Sequence, residues 1–417
     1  MTSDATMEKV QAALEPYVTS GAVPCVAGII RQRGEVQALA LGTHSLTADE
    51  SVQRDSIFRI SSMTKPITAA AALILVDRGV ITLDEPIDRL LPELADRRVL
   101  RDLNSPLDDT VAAERPVTVR DLFSFTDGFG QLYQSPADYP ILRAALDMGL
   151  RMGPPAPASQ PAADEWLERL ASLPLMQQPG RSWLYDTAAD VLGTLIERAS
   201  GSDFATFLQE NLFEPLDMPD TSFSVSADNI HRFVTAYTPE PETGRLMMSD
   251  DPGSGQWSRK PAFSSGAGGL VSTCDDYLAF ATMILNRGRA GTQQVLSPES
   301  VRLMTEGSLN SAQRSRSGPI PLDMARHTWG MGVSVVTSGD QLWPPGSYGW
   351  TGGLGTSWTT SPQDGVIAIV MTQVAMTTPA STQLFDDFSS AVVTHRPVPA
   401  AQARGEPLGR PAGATRA

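Results

Sequence analysis

Phe58-Arg59-Ile60-Ser61-Ser62-Met63-Thr64-Lys65-Pro66-Ile67-Thr68 is a short apolar strand pattern that runs into a helix, with Ser62 and Lys65 three residues apart. Three residues is nearly one helical turn, so hydroxyl and amine fall on one face within reach of each other. A serine alcohol is a poor nucleophile until a neighbour takes its proton, and a lysine does so only when desolvation brings its pKa down toward neutrality. S-x-x-K therefore holds a nucleophile and a base in one turn. Of the 32 Lys+Arg residues only Lys9, Lys65 and Lys260 are lysine, and only Lys65 has a serine three positions before it. Arginine stays protonated in proteins, so a position that needs a neutral amine must keep lysine. The bland alternative is a chance lysine on a helix face of an arginine-rich chain, and the surrounding sequence has to decide.

Pro66 lacks an N–H, which puts the helix start within about a turn of it and Ser62 at the helix N-terminus. Unpaired backbone N–H groups there suit a developing oxyanion. Ile67, Ala71, Ile74 and Leu75 form a core-facing stripe, and Gly79 marks the stop. Upstream, Met7 to Tyr17 has the period of an amphipathic helix, and Val26 to Arg31 with Glu35 to Leu41 predict a β-hairpin around Arg33-Gly34.

Downstream, from Asp84 to about Glu240, helical periodicity is broken by prolines and strand signal is scarce, which predicts a helical region inserted into a sheet domain. The expected division is residues 1-83 and 250-395 for the sheet domain and 84-249 for the helical one. Val117 to Phe123 opens a helix that ends in the turn Thr126-Asp127-Gly128-Phe129-Gly130. Gly153-Pro154-Pro155-Ala156-Pro157-Ala158 is either a surface loop, the favoured reading, or a wall over a pocket. In Pro179-Gly180-Arg181-Ser182-Trp183-Leu184-Tyr185-Asp186-Thr187, Thr187 with Asp190 fits a capping box for the following helix. Tyr185 then sits on a loop pinned by a capped helix. Spacing alone favours a core tyrosine with a satisfied hydroxyl; the alternative is a proton relay whose pKa falls beside the Lys65 ammonium.

Strand patterns resume after the glycine-rich Ser264 to Leu270, which lacks the G-K-[ST] of a phosphate loop and predicts a turn where backbones approach closely. Asp275 to Leu285 predicts a helix; Gly332 to Val336, Tyr348 to Trp350, Thr356 to Thr360 and Val366 to Thr372 predict strands; Leu384 to Val393 predicts a closing helix. The 396-417 tail, rich in Pro, Gly, Ala and Arg, is expected to be disordered. At Gly352-Gly353 the loss of side chains lets a substrate lie against the backbone, or else marks a bulge or bend.

Composition narrows the classes. A chain of 417 residues, 41% hydrophobic, supports one large or two intimately packed domains. A net charge of -15 gives no electrostatic footprint for nucleic acid or an anionic membrane. The first residues have no basic region followed by an apolar one, and the longest apolar run, Ala69 to Val76, is too short to span a bilayer, so a cytoplasmic protein is expected. Cys25 and Cys274 form no disulfide framework and are expected to be buried thiols. His44, His231, His327 and His395 are scattered without H-E-x-x-H, which disfavours a zinc hydrolase; no metal or cofactor is expected. The absence of G-x-S-x-G argues against an α/β-hydrolase.

Ser62-x-x-Lys65, then Tyr185 opening a Y-x-x triplet, then Trp350-Thr351-Gly352 resembles the serine β-lactamase and penicillin-binding-protein superfamily in its class C-like branch. The nearest resemblance is to family VIII carboxylesterases and related acyltransferases. It extends from about Val26 to Thr372 and includes "PITAAAALILVDRGVITLDEPI", "VTVRDLFSFTDG" and "SSGAGGLVSTCDDYLAF". The resemblance implies an α+β, β-lactamase/transpeptidase-like fold: an antiparallel sheet flanked by helices plus an all-helical domain, with the site in the cleft between. It further implies Ser62 as acylated nucleophile, Lys65 as its activating partner and Tyr185 as relay. The N–H groups of Ser62 and Gly353 would form the oxyanion hole, with Trp350 and Gly352 beside the substrate.

Two departures bear on substrate. Thr187 stands where the β-lactamases and peptidases of this group keep an amide, and Trp350 where they keep a cation that helps hold a substrate carboxylate. An aromatic there removes an anion anchor, so neutral esters fit better than penicillins or D-Ala-D-Ala peptides. The expectation is a carboxylesterase-type serine hydrolase acting on small-molecule esters with a short-acyl preference. The alternatives are an acyltransferase, an amidase or peptide cyclase, a weak β-lactamase and, from a different class, a non-catalytic binding protein.

Overall fold

The computed structural model describes residues 3–132, 139–150, 155–316, 322–338, 342–377 and 383–393. The expected tail at 396-417 lies outside them. Helix α1 (Ser3–Thr19) leads into the hairpin β1 (Cys25–Gln32) and β2 (Glu35–Gly42), as the alternation predicts. Helix α2 (Thr64–Asp77) carries the S-x-x-K lysine, α3 (Val119–Ser124) and α4 (Thr187–Ser200) belong to the helical region, and α5 (Cys274–Leu285) returns to the sheet. Strands β3 (His327–Trp329), β4 (Ser334–Val336), β5 (Tyr348–Gly352), β6 (Thr356–Ser361) and β7 (Val366–Met371) precede the closing helix α6 (Gln383–Val393).

The seven strands make one antiparallel sheet in the order β3-β4-β5-β6-β7-β1-β2. The first and last strands therefore pair directly, one strand in from the β2 edge: Ile29 of β1 faces Ile369 of β7. The period of two sorts the side chains. Cys25, Ala27, Ile29, Ile367, Ile369 and Met371 enter the main core with α2 and α5, whereas Val26, Ile30, Val366, Ala368 and Val370 pack on the other face with α1 and α6. A central strand covered on both faces reads as a continuous apolar run, and β7 is buried throughout.

Helix α2 departs from the expected one-sided stripe. Every residue from Thr64 to Leu75 is buried, because α2 passes between the sheet and the helical region. Arg78 ends it and Gly79 takes φ +70, the left-handed stop the sequence predicts. The 84-249 region also contains strands that its periodicity hides: Arg98–Leu100 pairs with Thr110–Ala112, and Ala236–Pro239 with Leu246–Asp250. Cys25 and Cys274 are free and buried. Among the described residues no helix is long and apolar enough to cross a membrane, and no His/Cys/Asp/Glu group could hold a metal ion.

Candidate active site

Phe58–Arg59 forms a two-residue ladder with Val271–Ser272, and Arg59 is anchored in the interior by Asp250 at 2.5 Å and the Val234 carbonyl at 2.6 Å. The chain then turns sharply: Ser61 adopts φ +46, left-handed backbone that a non-glycine residue enters only where its surroundings hold it. Ser61–Met63 forms a single 3₁₀ turn before α2 begins at Thr64. The Tyr277 hydroxyl donates to the Met63 carbonyl at 3.0 Å, and Leu270 N–H donates to Thr64 Oγ1 at 3.2 Å. Ser62 is thus presented on a turn fixed from two sides.

Lys65 lies beneath it with a side chain only 1% exposed. Its Nζ donates to Ser62 Oγ at 3.2 Å, to the Ala267 carbonyl at 2.6 Å and to Asp186 Oδ1 at 2.6 Å. Nζ also sits 4.5 Å from the centroid of the Tyr185 ring. The Tyr185 hydroxyl accepts the Trp350 indole N–H at 2.8 Å, and the phenol interacts electrostatically with Lys65 and Ser62. The ring is wedged among Trp183, Phe125, Trp329 and Trp350, with centroids 5.5 to 6.4 Å away. Ser62, Lys65, Tyr185 and Trp350, distant in sequence, meet here.

The charge states correct the expectation of a neutral amine. Burial pushes Lys65 down, but the carboxylate of Asp186 at contact distance and the nearby Tyr185 oxygen outweigh it, so its pKa stands above the ordinary lysine value. Nor does Tyr185 fall: burial is the largest influence and raises it, the ammonium of Lys65 lowers it, Asp186 raises it again, and the balance is upward. Asp186 went unnoticed in the sequence because an acid at a helix start ordinarily reads as a cap. Here it is the N-cap residue of α4 yet makes no cap bond, and its backbone lies at φ 91°, ψ -71°, the strained region of a tight γ-turn.

The expected capping box between Thr187 and Asp190 does not form. Asp190 Oδ1 instead accepts from Ser265 Oγ at 2.7 Å and from Ala267 N–H at 2.9 Å, holding in place the carbonyl that Lys65 uses. Burial raises the Asp190 pKa to about 6, with the Asp186 charge adding to it. The glycine-rich stretch is a close backbone approach: a Cβ on Gly266 would lie 2.5 Å from the Ala189 carbonyl.

The cleft above Ser62 is lined by Ser61, Pro155, Pro157, Gln160, Asp186 and Asp190, with a volume of about 30 Å³. Gly153 and Pro154 lie outside the described residues, but Pro155, Ala156 and Pro157 form a wall over the site and not the free surface loop their composition favours. Trp350 does not line this cleft; it bonds Tyr185. At Gly352 the glycine is needed by the protein itself, since a Cβ would stand 2.2 Å from the Ile60 carbonyl. At Gly353 a Cβ would have Ser61 Oγ, 4.0 Å away, as its nearest neighbour, so this backbone faces the nucleophile turn across open space.

An uncharacterized protein of Mycobacterium tuberculosis is 36% identical over 370 residues, 87% of this chain and 89% of its own length. Esterase EstB of Burkholderia gladioli is 31% identical over 366 residues, covering 83% of this chain and 85% of EstB. Among solved structures, EstCE1, described as a hydrolase with promiscuous acyltransferase activity, superimposes with a TM-score of 0.76 at 23% identity over 94% of this chain and 99% of its own, a likeness of fold. The family described as Beta-lactamase matches residues 10–385, and with that span and a β-lactamase/transpeptidase-like architecture the chain belongs to the beta-lactamase family.

Proposed function

We propose that this protein is a serine hydrolase that cleaves small carboxylic esters through an acyl-enzyme on Ser62. The observation that carries the reading is the buried contact of Lys65 Nζ with Ser62 Oγ at 3.2 Å, with the Tyr185 ring 4.5 Å from the same Nζ. Kinship with an esterase at 31% identity supports the substrate class. The charged state of Lys65 assigns the proton work to Tyr185. Once the Lys65–Tyr185 pair has lost its proton, the Tyr185 oxygen takes the Ser62 proton as Oγ bonds the ester carbon, and the carbonyl electrons move onto oxygen, facing the N–H groups of Ser62 and Gly353. Collapse breaks the bond to the alkoxy group, which takes the proton from Tyr185 and departs as alcohol. A water then gives a proton to the phenolate, attacks the acyl carbon and releases the acid, while Ser62 recovers its proton. Pro155 and Pro157 standing over Ser62 favour short acyl groups.

Ser62→Ala is expected to abolish turnover of a chromogenic butyrate ester while circular dichroism and Tm stay close to wild type. Retained turnover would defeat the assignment. Products formed with an added alcohol separate hydrolysis from acyl transfer.

A further inference from the structure

Asp186 is placed at a double cost. Positive φ on a non-glycine residue is strained, and an N-cap carboxylate that makes no cap bond forgoes the helix stabilisation a cap supplies. Both are borne by a residue whose Oδ1 reaches Lys65 Nζ at 2.6 Å inside the site. A γ-turn at position 186 aims the carboxylate backward at α2 instead of along its own helix.

We infer that Asp186 is the positioning residue that sets the pH at which the Lys65–Tyr185 pair gives up its shared proton, and so the pH at which Ser62 becomes a nucleophile. This rests on the proposed role of Ser62. The groups facing the pair support it. From α2 and its turn come Ser62 and Lys65; from the start of α4, Asp186 and, further off, Asp190; from the glycine-rich loop, Ser265 and the Ala267 carbonyl; from β5, the uncharged Trp350. The turn after α3 carries Asp127, but that carboxyl faces Asp121 and Arg97. Asp186 is thus the only carboxylate in contact with the ammonium among the described residues. Lys65 and Tyr185 are close enough to titrate as a unit, so the proton lost on activation belongs to the pair whichever atom it leaves. A negative charge beside both groups disfavours that loss, and both stand above their ordinary values.

The test is the rate at which a fluorophosphonate labels Ser62 as a function of pH, in wild type, Asp186→Asn and Asp186→Gly. Asn and Gly both tolerate positive φ, and Gly also relieves the strain. The rising limb is expected to move down by about one pH unit or more in both variants, with labelling at pH 7 faster than in wild type. A merely structural role would lower the rate at every pH and leave the limb in place, and that result overturns the inference. Labelling reads activation without ester turnover. Wild type labelled at Ser62 but inert toward esters would defeat the substrate reading and leave this one standing; no labelling at any pH defeats both.

Discussion

At the scale of single residues, Trp350 acts through its edge. The indole N–H donates to the Tyr185 oxygen at 2.8 Å, and the ring meets Trp329 edge-on at 4.8 Å. A hydrogen bond to a charged acceptor contributes about 1.5–3 kcal/mol, and each 1.4 kcal/mol on a barrier is about tenfold in rate. Trp350→Phe keeps an aromatic ring and removes the donor, so kcat for a butyrate ester is expected to fall about tenfold or more, with the rising limb of the pH profile displaced upward. Loss of packing alone would lower Tm without moving the limb. A kcat and limb equal to wild type would show that the indole N–H has no part in the proton transfer. In the sequence Trp350 is visible as an aromatic in a W-T-G triplet, but whether such a ring offers its face to a substrate or its N–H to a neighbour is settled by the strand register, which pairs Trp350 with Trp358.

At the scale of elements, the turn that ends α3 holds an untapped stability. Phe125 closes the helix at φ +56, and the following Asp127 is buried with Oδ1 unpartnered. Burial, with the charge of Asp121 nearby, raises its pKa from 3.8 to about 8. Between those values the unfolded chain has released the proton that the folded one retains, so stability falls as pH rises across that window. Asp127→Asn cannot ionise and should gain on wild type as pH goes from 5 to 8, by up to about 1.4 kcal/mol per unit. Thermal melts at the two pH values check this; an equal difference in Tm at both would contradict it. The same helix shows where local sequence suffices and where it does not. Thr118–Asp121 and Thr187–Asp190 have identical spacing, yet only the first makes a capping box, because the second helix starts one residue earlier with Asp186 as its N-cap and Ser265 and Ala267 from a distant loop claim the carboxylate of Asp190. Long periodic segments such as β1, β2, α5 and α6 were legible to within a few residues. The three-residue β3 was not, and neither were the ladders at 98–112 and 236–250, which are too short for a period to show. In the site, Ser62, Lys65 and Tyr185 could be read because their types and order are distinctive, whereas Asp186 and the Ala267 carbonyl act through backbone geometry no composition announces.

At the scale of the whole molecule, charge acts on an approaching anion twice. The chain carries a net -15, which repels anions at a distance. In the cleft, Asp186 and Asp190 stand beside Ser62, and Lys65, which donates to Ser62 from beneath, is already engaged by Asp186. An ester with a carboxylate on its acyl group meets the first field during approach and the second on docking. The two separate by ionic strength, because the long-range part is screened beyond about 8 Å at 0.15 M salt whereas contacts inside a closed cleft are not. A chromogenic hemisuccinate ester, near in size to the butyrate but bearing one negative charge, is expected to show kcat/KM lower by about tenfold or more at low salt, since like charges in contact cost 1.4 kcal/mol or more. Added salt should close part of that gap and leave the rest, and Asp190→Asn should reduce the part that salt leaves. If the two esters were turned over equally at low salt, the carboxylates lining the cleft would have no role in choosing the acyl group, and selectivity would rest on the proline wall and the cleft's size alone.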